Sequence, residues 1–162
     1  MGFALSNELT LASEAFAGGG TIPVRHTGYG ESVSPALSWS GVPDEAASFA
    51  LICHDPDAPM VAPDGTYGVA HWVLYNIPAD VSQLPEGVNG LYTAGLNQRG
   101  ESGFLGPQPP PGHGQHHYFF WLLALRSAPE MEERLNLWRL LSRVEPELVA
   151  MNRLVGTFEA PA

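Results

Sequence analysis

The sequence contains no lysine. Its seven positive charges are all arginines, set against 17 Asp and Glu, for a net charge of −10. No basic cluster exists to match a phosphate backbone or an anionic bilayer, so neither nucleic acid nor a membrane surface is expected as the main partner. The one cysteine, Cys53, lies inside the apolar run Phe49–Cys53 and reads as a small buried hydrophobe. It has no partner for an internal disulfide, so the chain does not call for an oxidising compartment. No apolar run approaches the ~18 residues of a spanning helix. The segment Met1–Glu8 lacks the basic start and long apolar stretch of a signal peptide, and a cytoplasmic location is the default expectation. Charged residues make up only 15% of the chain, against about 25% in an average domain.

What is abundant is glycine (18) and proline (15), which predicts many turns between short strands. A length of 162 residues fits a single domain over 1–162, large enough to bury its own core. Strands are expected at 3–5, 9–11, 36–40, 47–53, 69–76, 116–125 and 154–158, with 21–24 leading into a second Gly-rich loop. The run Ala47–Cys53 is apolar enough to be covered on both faces. Regular alternation in 69–76 puts His71, Val73 and Tyr75 on one face, with Trp72 and Leu74 on the other. Residues 81–115 form a long Gly-rich stretch expected to carry function or hidden short elements. Ser127-Ala128-Pro129-Glu130 resembles a helix start. The stripe Met131, Leu135, Trp138 and Leu141, widened by Leu137 and Leu140, predicts an amphipathic helix, with a second short helix from Pro146. Strands first and helices last predict a β-rich α+β domain with a mostly antiparallel sheet.

Two stretches carry the candidate chemistry. Asp55-Pro56-Asp57-Ala58-Pro59 leaves a buried strand through two prolines, which fix φ and remove donors. Gly106–Tyr118 packs a proline run against His116, His117 and Tyr118. His71 begins the strand after the Asp-Pro loop, so its side chain can return to the same sheet edge. His116 and Tyr118, two apart, share a strand face, whereas His117 points away. Asp55, His71, His116 and Tyr118 could therefore line one concave site, a carboxylate orienting an imidazole while imidazoles and phenol donate to a small anion. Asp57, between prolines, is expected to brace the loop. His26, His54 and His113 receive no role.

Other chemistries fit poorly. The His and Asp spacing matches no His-Glu-x-x-His or facial-triad pattern, so no metal is expected. No Gly-x-Ser-x-Gly elbow, P-loop or dinucleotide-binding fingerprint occurs, and no cofactor is called for.

Several long segments together resemble the phosphatidylethanolamine-binding protein family. They are Ser34–Pro43, Ser48–Leu51 running into Asp55–Pro59, His71–Pro78, Gly106–Gly112 with His116–Phe120, and Leu154–Phe158. The triple proline is similar to the bacterial, Raf kinase inhibitor-like branch. The resemblance implies a central antiparallel sheet packed on a smaller sheet, with short C-terminal helices. It implies a surface anion pocket formed by Asp55, Pro59, His71, Pro110, His116 and Tyr118, with Tyr67 as a further wall and a cis Ala58–Pro59 bond. The family usually has Arg where this chain has His117.

The expected function is a binding or regulatory protein taking phosphate or phosphorylated head groups. The alternatives are a hydrolase using the same His/Asp groups, and an inhibitor of a kinase or protease acting through protein contact. A homodimer through the 81–115 stretch is a further expectation.

Overall fold

The computed structural model describes residues 4–88 and 90–162. Two antiparallel sheets organise it. The smaller joins β1 (Thr10–Ala12), β2 (Leu37–Ser40) and β5 (Gln83–Leu84). The larger runs β6-β4-β3-β7-β8, with β3 at Ser48–Asp55, β4 at Val69–Pro78, β6 at Thr93–Ala94, β7 at His116–Leu125 and β8 at Leu148–Phe158. One α-helix, α1 (Leu137–Val144), covers the far face of the large sheet.

Strand periodicity divides the core in two. Phe49, Leu51 and Cys53 of β3 and Tyr118, Phe120 and Leu122 of β7 face the small sheet, meeting Leu11, Leu37, Trp39 and Leu84. Ala50, Ile52, Leu123 and Leu125 face the other way and pack under Leu137, Leu140 and Val144 of α1. The expectation that the first apolar run is covered on both faces holds, because β3 is flanked by β4 and β7 within the sheet and sandwiched across it.

Several expectations need correction. Residues 128–136 are not helical, because β4 takes their backbone groups. The Tyr75 hydroxyl donates to Glu132 O and accepts from Leu135 N–H, while the Asn76 amide donates to Met131 O and accepts from Met131 N–H. The helix begins instead after Asn136, whose side chain accepts from Arg139 N–H at 2.9 Å. This start selects Leu137, Leu140 and Val144 as the inward set and leaves Trp138 58% exposed. The second helix is reduced to a 3-10 turn at Glu145–Glu147, and Leu148–Met151 belong to β8. That strand satisfies the outer edge of β7 from Leu125 to His116. Of the early strands, 9–11 is found as β1, shifted by one residue; the lead into the second Gly-rich loop carries a 3-10 turn at Val24–His26. Of the expected strand at 3–5, Phe3 lies outside the described residues, and residues 4–5 are not strand. The 81–115 stretch carries the short strands β5 and β6.

A further departure positions the site. Cys53 pairs with Trp72 but His54 pairs with Ala70, so His71 is an extra residue in β4. Ala70 sits in the helix-side core with Val73 and Tyr75, while Trp72 and Leu74 face the small sheet. The bulge turns His71 to the side of Trp72, away from the face that strict alternation assigns it.

Candidate functional site

Asp55 ends β3 and continues the inward face of Phe49, Leu51 and Cys53. Its carboxylate is buried, 2% exposed. Oδ1 accepts the N–H of Asp57 at 2.8 Å, closing the turn at Pro56. Oδ2 lies 2.7 Å from Nδ1 of His116, the first residue of β7. A carboxylate only accepts, so His116 donates from Nδ1. Its Nε2 lies 2.6 Å from Nδ1 of His113. In a neutral His116 ring Nε2 carries the lone pair, and His113 is the donor. The three side chains thus form a hydrogen-bonded file from a buried strand end to an exposed lip. His113 stands in a turn closed by its own N–H donating to Pro110 O at 3.1 Å. It is flanked by Gly112 and Gly114 at φ +79° and +83°.

Tyr118 lies two residues along the same face and is fully buried. Its hydroxyl has no hydrogen-bond partner among the described residues. Burial first, then the nearby Asp55 charge, pushes the phenol well above its ordinary pKa, so it remains a neutral donor.

His71 stands edge-on to Tyr118, with ring centroids 5.2 Å apart. Its Nδ1 donates to Leu105 O at 2.6 Å. A carbonyl only accepts, so Nδ1 holds the proton and Nε2 presents a lone pair. Burial lowers the pKa from 6.5 to about 4, outweighing the Leu105 bond and the Asp55 charge, which work the other way. The expectation that both imidazoles donate is therefore corrected, since a neutral His71 offers an acceptor.

These groups share a cavity of about 220 Å³, walled by Asp55, His71, Pro110, His116 and Tyr118 together with Ala58, Met60 and Arg99. Pro59 is exposed and outside the lining; the turn presents its neighbours Ala58 and Met60 instead. Tyr67 turns to the opposite side, into an apolar groove of about 510 Å³ with Trp121, Trp138 and Leu141. Ala58–Pro59 is trans; Met60 N–H donates to Ala58 O at 2.8 Å and closes the turn in that form.

The proline wall is held by the loop at 27–32. Gly28 N–H donates to Pro107 O, the Tyr29 hydroxyl to Pro109 O, and Gly106 N–H to Ser32 Oγ. A Cβ on Gly106 would meet Ser32 Oγ at 2.6 Å, so only glycine passes there. Asp57 braces as expected. Its Oδ2 accepts from the backbone N–H of His117 at 2.7 Å and meets the ring Nδ1 at 2.8 Å.

Two lining or contacting residues escape the sequence reading. His113 announces itself only by its i, i+3 spacing to His116 inside a Gly-His-Gly turn. Arg99 is the sole positive charge between Arg25 and Arg126, a signal available in the sequence.

No described helix is long and apolar enough to cross a membrane. The sequence model of the family described as phosphatidylethanolamine-binding protein matches residues 12–159. Among solved structures, the phosphatidylethanolamine-binding protein homolog CT736 from Chlamydia trachomatis is 39% identical, with a TM-score of 0.87 over 96% of this chain and 100% of that one. YbcL of E. coli, described as a member of the mammalian family, is 29% identical, with a TM-score of 0.85 over 95% of this chain and 99% of that one. A Mycobacterium tuberculosis relative bearing a lipoprotein name, LppC, is 37% identical over 156 residues, covering 93% of this chain and 72% of that protein; the cytoplasmic expectation gains no support from it. With the family's sequence model spanning nearly the whole length and two sheets arranged as in these relatives, the chain belongs to the phosphatidylethanolamine-binding protein family.

Proposed function

We propose that this protein binds a small phosphate-type anion in the cavity between Asp55, His71, His116 and Tyr118. The observation that carries this reading is the fully buried Tyr118 hydroxyl without a partner among the described residues. A buried donor left unpaired costs roughly 1–3 kcal/mol, and an oxygen of a bound ligand removes that cost. Beside it, Nε2 of His71 offers a lone pair. A donor and an acceptor side by side complement a monoprotonated phosphate, which has both P–O⁻ and P–OH to present. His116, fixed by Asp55, adds a further nitrogen once the His113 contact is released.

The hydrolase alternative draws less from the geometry. The cavity lining carries no serine, threonine or cysteine, and Tyr118 meets no base that would activate its hydroxyl.

Calorimetric titration with inorganic phosphate tests the reading. Saturable binding is expected in the wild type, weakened about tenfold in Tyr118→Phe for loss of one hydrogen bond to a charged group, and weakened also in His116→Ala. Titrations unchanged in both variants would remove the pocket from consideration. Parallel screening of phosphoester substrates with wild type and His71→Ala addresses the hydrolase: turnover lost in the variant would favour it.

A further inference from the structure

Arg99 gives the cavity a fixed positive charge on its wall. Of the chain's other arginines, Arg25 pairs with Glu31 and Glu86, Arg143 pairs with Glu132, and Arg153 lies over the Phe119 and Trp121 rings, while Arg126, Arg134 and Arg139 make no ion pair among the described residues but lie outside this cavity. Arg99 makes no ion pair among the described residues, and its side chain stands at the exposed rim. Its backbone, by contrast, is tightly placed. Asn97 Oδ1 accepts from Arg99 N–H at 2.9 Å, and the Asn97 amide donates to Gly103 O at 3.1 Å. Gln98 is clamped to Ala70 by reciprocal bonds, its N–H to Ala70 O and its Oε1 from Ala70 N–H. Ala70 is the neighbour of His71, so the sheet that aims the imidazole also holds the Arg99 backbone beside it. A free guanidinium anchored beside a phosphate-type pocket is placed for a planar second anion.

We infer that Arg99 forms a second anion-binding subsite, so that the ligand is a phosphomonoester carrying a carboxylate rather than one carrying only an amine. The inference rests on the phosphate reading of the inner cavity. An ammonium at this rim meets a like charge, whereas a carboxylate is held bidentately. The monoester form follows from the His71 lone pair. A monoester keeps a P–OH to donate to it, and a diester, as in a lipid head group, has none.

The test compares O-phosphoserine with O-phosphoethanolamine, which differ by one carboxylate, in calorimetric titrations of the full chain. Wild type is expected to favour phosphoserine by roughly tenfold, the worth of one charge-assisted contact, with the gap narrowing as salt rises. Arg99→Gln should erase the preference, Arg99→Lys should retain part of it, and the melting temperature of both should stay at the wild-type value because the side chain is exposed. Equal affinities in wild type, or a preference that survives in Arg99→Gln, would overturn the subsite. Glycerophosphoserine, the matching diester, should bind more weakly than phosphoserine; equal binding would overturn the monoester assignment and point to a lipid head group. Inorganic phosphate separates the two claims. Binding lost in His116→Ala with no phosphoserine advantage defeats Arg99 alone, whereas phosphate binding indifferent to His116 and Tyr118 defeats the inner pocket as well.

Discussion

At the start of β7 two adjacent histidines each meet an aspartate of the same loop, and the two pairs differ chiefly in burial. His116 and Asp55 are 2.7 Å apart with both side chains 3% exposed. His117 and Asp57 are 2.8 Å apart, at 47% and 40% exposure. Strand alternation sends one pair into the space between the sheets and the other to solvent. The partial burial of Asp57 works to raise its pKa, but the hydrogen bonds from the His117 ring and backbone outweigh it and hold the carboxyl below its usual value. The outer pair therefore fastens the Asp-Pro loop to β7. The inner pair arranges an imidazole inside a cavity. One residue-pair chemistry, repeated a step apart, serves bracing in water and, in the proposed function, ligand contact in the interior.

The largest expected separation comes from removing each acid. Asp55→Ala should cost about 3 kcal/mol or more, as breaking a buried pair does, while Asp57→Ala should cost no more than about 1 kcal/mol, the range of a screened surface pair. Denaturant midpoints would decide, and equal losses would end the distinction.

Next in size is a pH effect from the interior. The folded pKa of His71 is depressed from 6.5 to about 4, so the unfolded chain binds the extra proton first. Stability from this group is complete above pH ~6.5 and is lost as pH falls through 4, amounting to about 3 kcal/mol. In His71→Gln the stability curve between pH 7 and 4 should flatten by that amount.

Tyr118→Phe should leave stability unchanged or raise it by up to ~1 kcal/mol, since the hydroxyl it removes is unpaired. The same variant should weaken phosphate binding, and this split between stability and affinity is what a ligand-facing group predicts. The smallest effect is expected from His117→Arg, the residue the family usually carries. The guanidinium can take over the Asp57 partnership, with a stability change under about 0.5 kcal/mol and no change in phosphate titration.

Much of this was legible from local pattern. The inward alternation of His116 and Tyr118, the outward turn of His117, the bracing role of Asp57 and the doubly covered β3 all follow from period-two geometry and composition. What was not legible depends on partners distant in sequence. Nothing local to Val69–Pro78 shows that β3 skips a residue opposite His71. The helix start at Asn136 is decided by Tyr75 and Asn76, some 60 residues away. Pro59 was placed in the wall by resemblance, whereas the path of the turn gives that place to Ala58 and Met60.

The bulge in β4 has a consequence at the level of inheritance. Because Cys53 already pairs with Trp72 and His54 with Ala70, the ladder on either side of His71 is complete without it. Losing that single codon should let the strands pair through this point without a shift, with every flanking side chain kept on its own side. A lineage can thus drop this imidazole by an in-frame deletion while retaining the sandwich around it, whereas Asp55, His116 and Tyr118 sit in register and can change only by substitution.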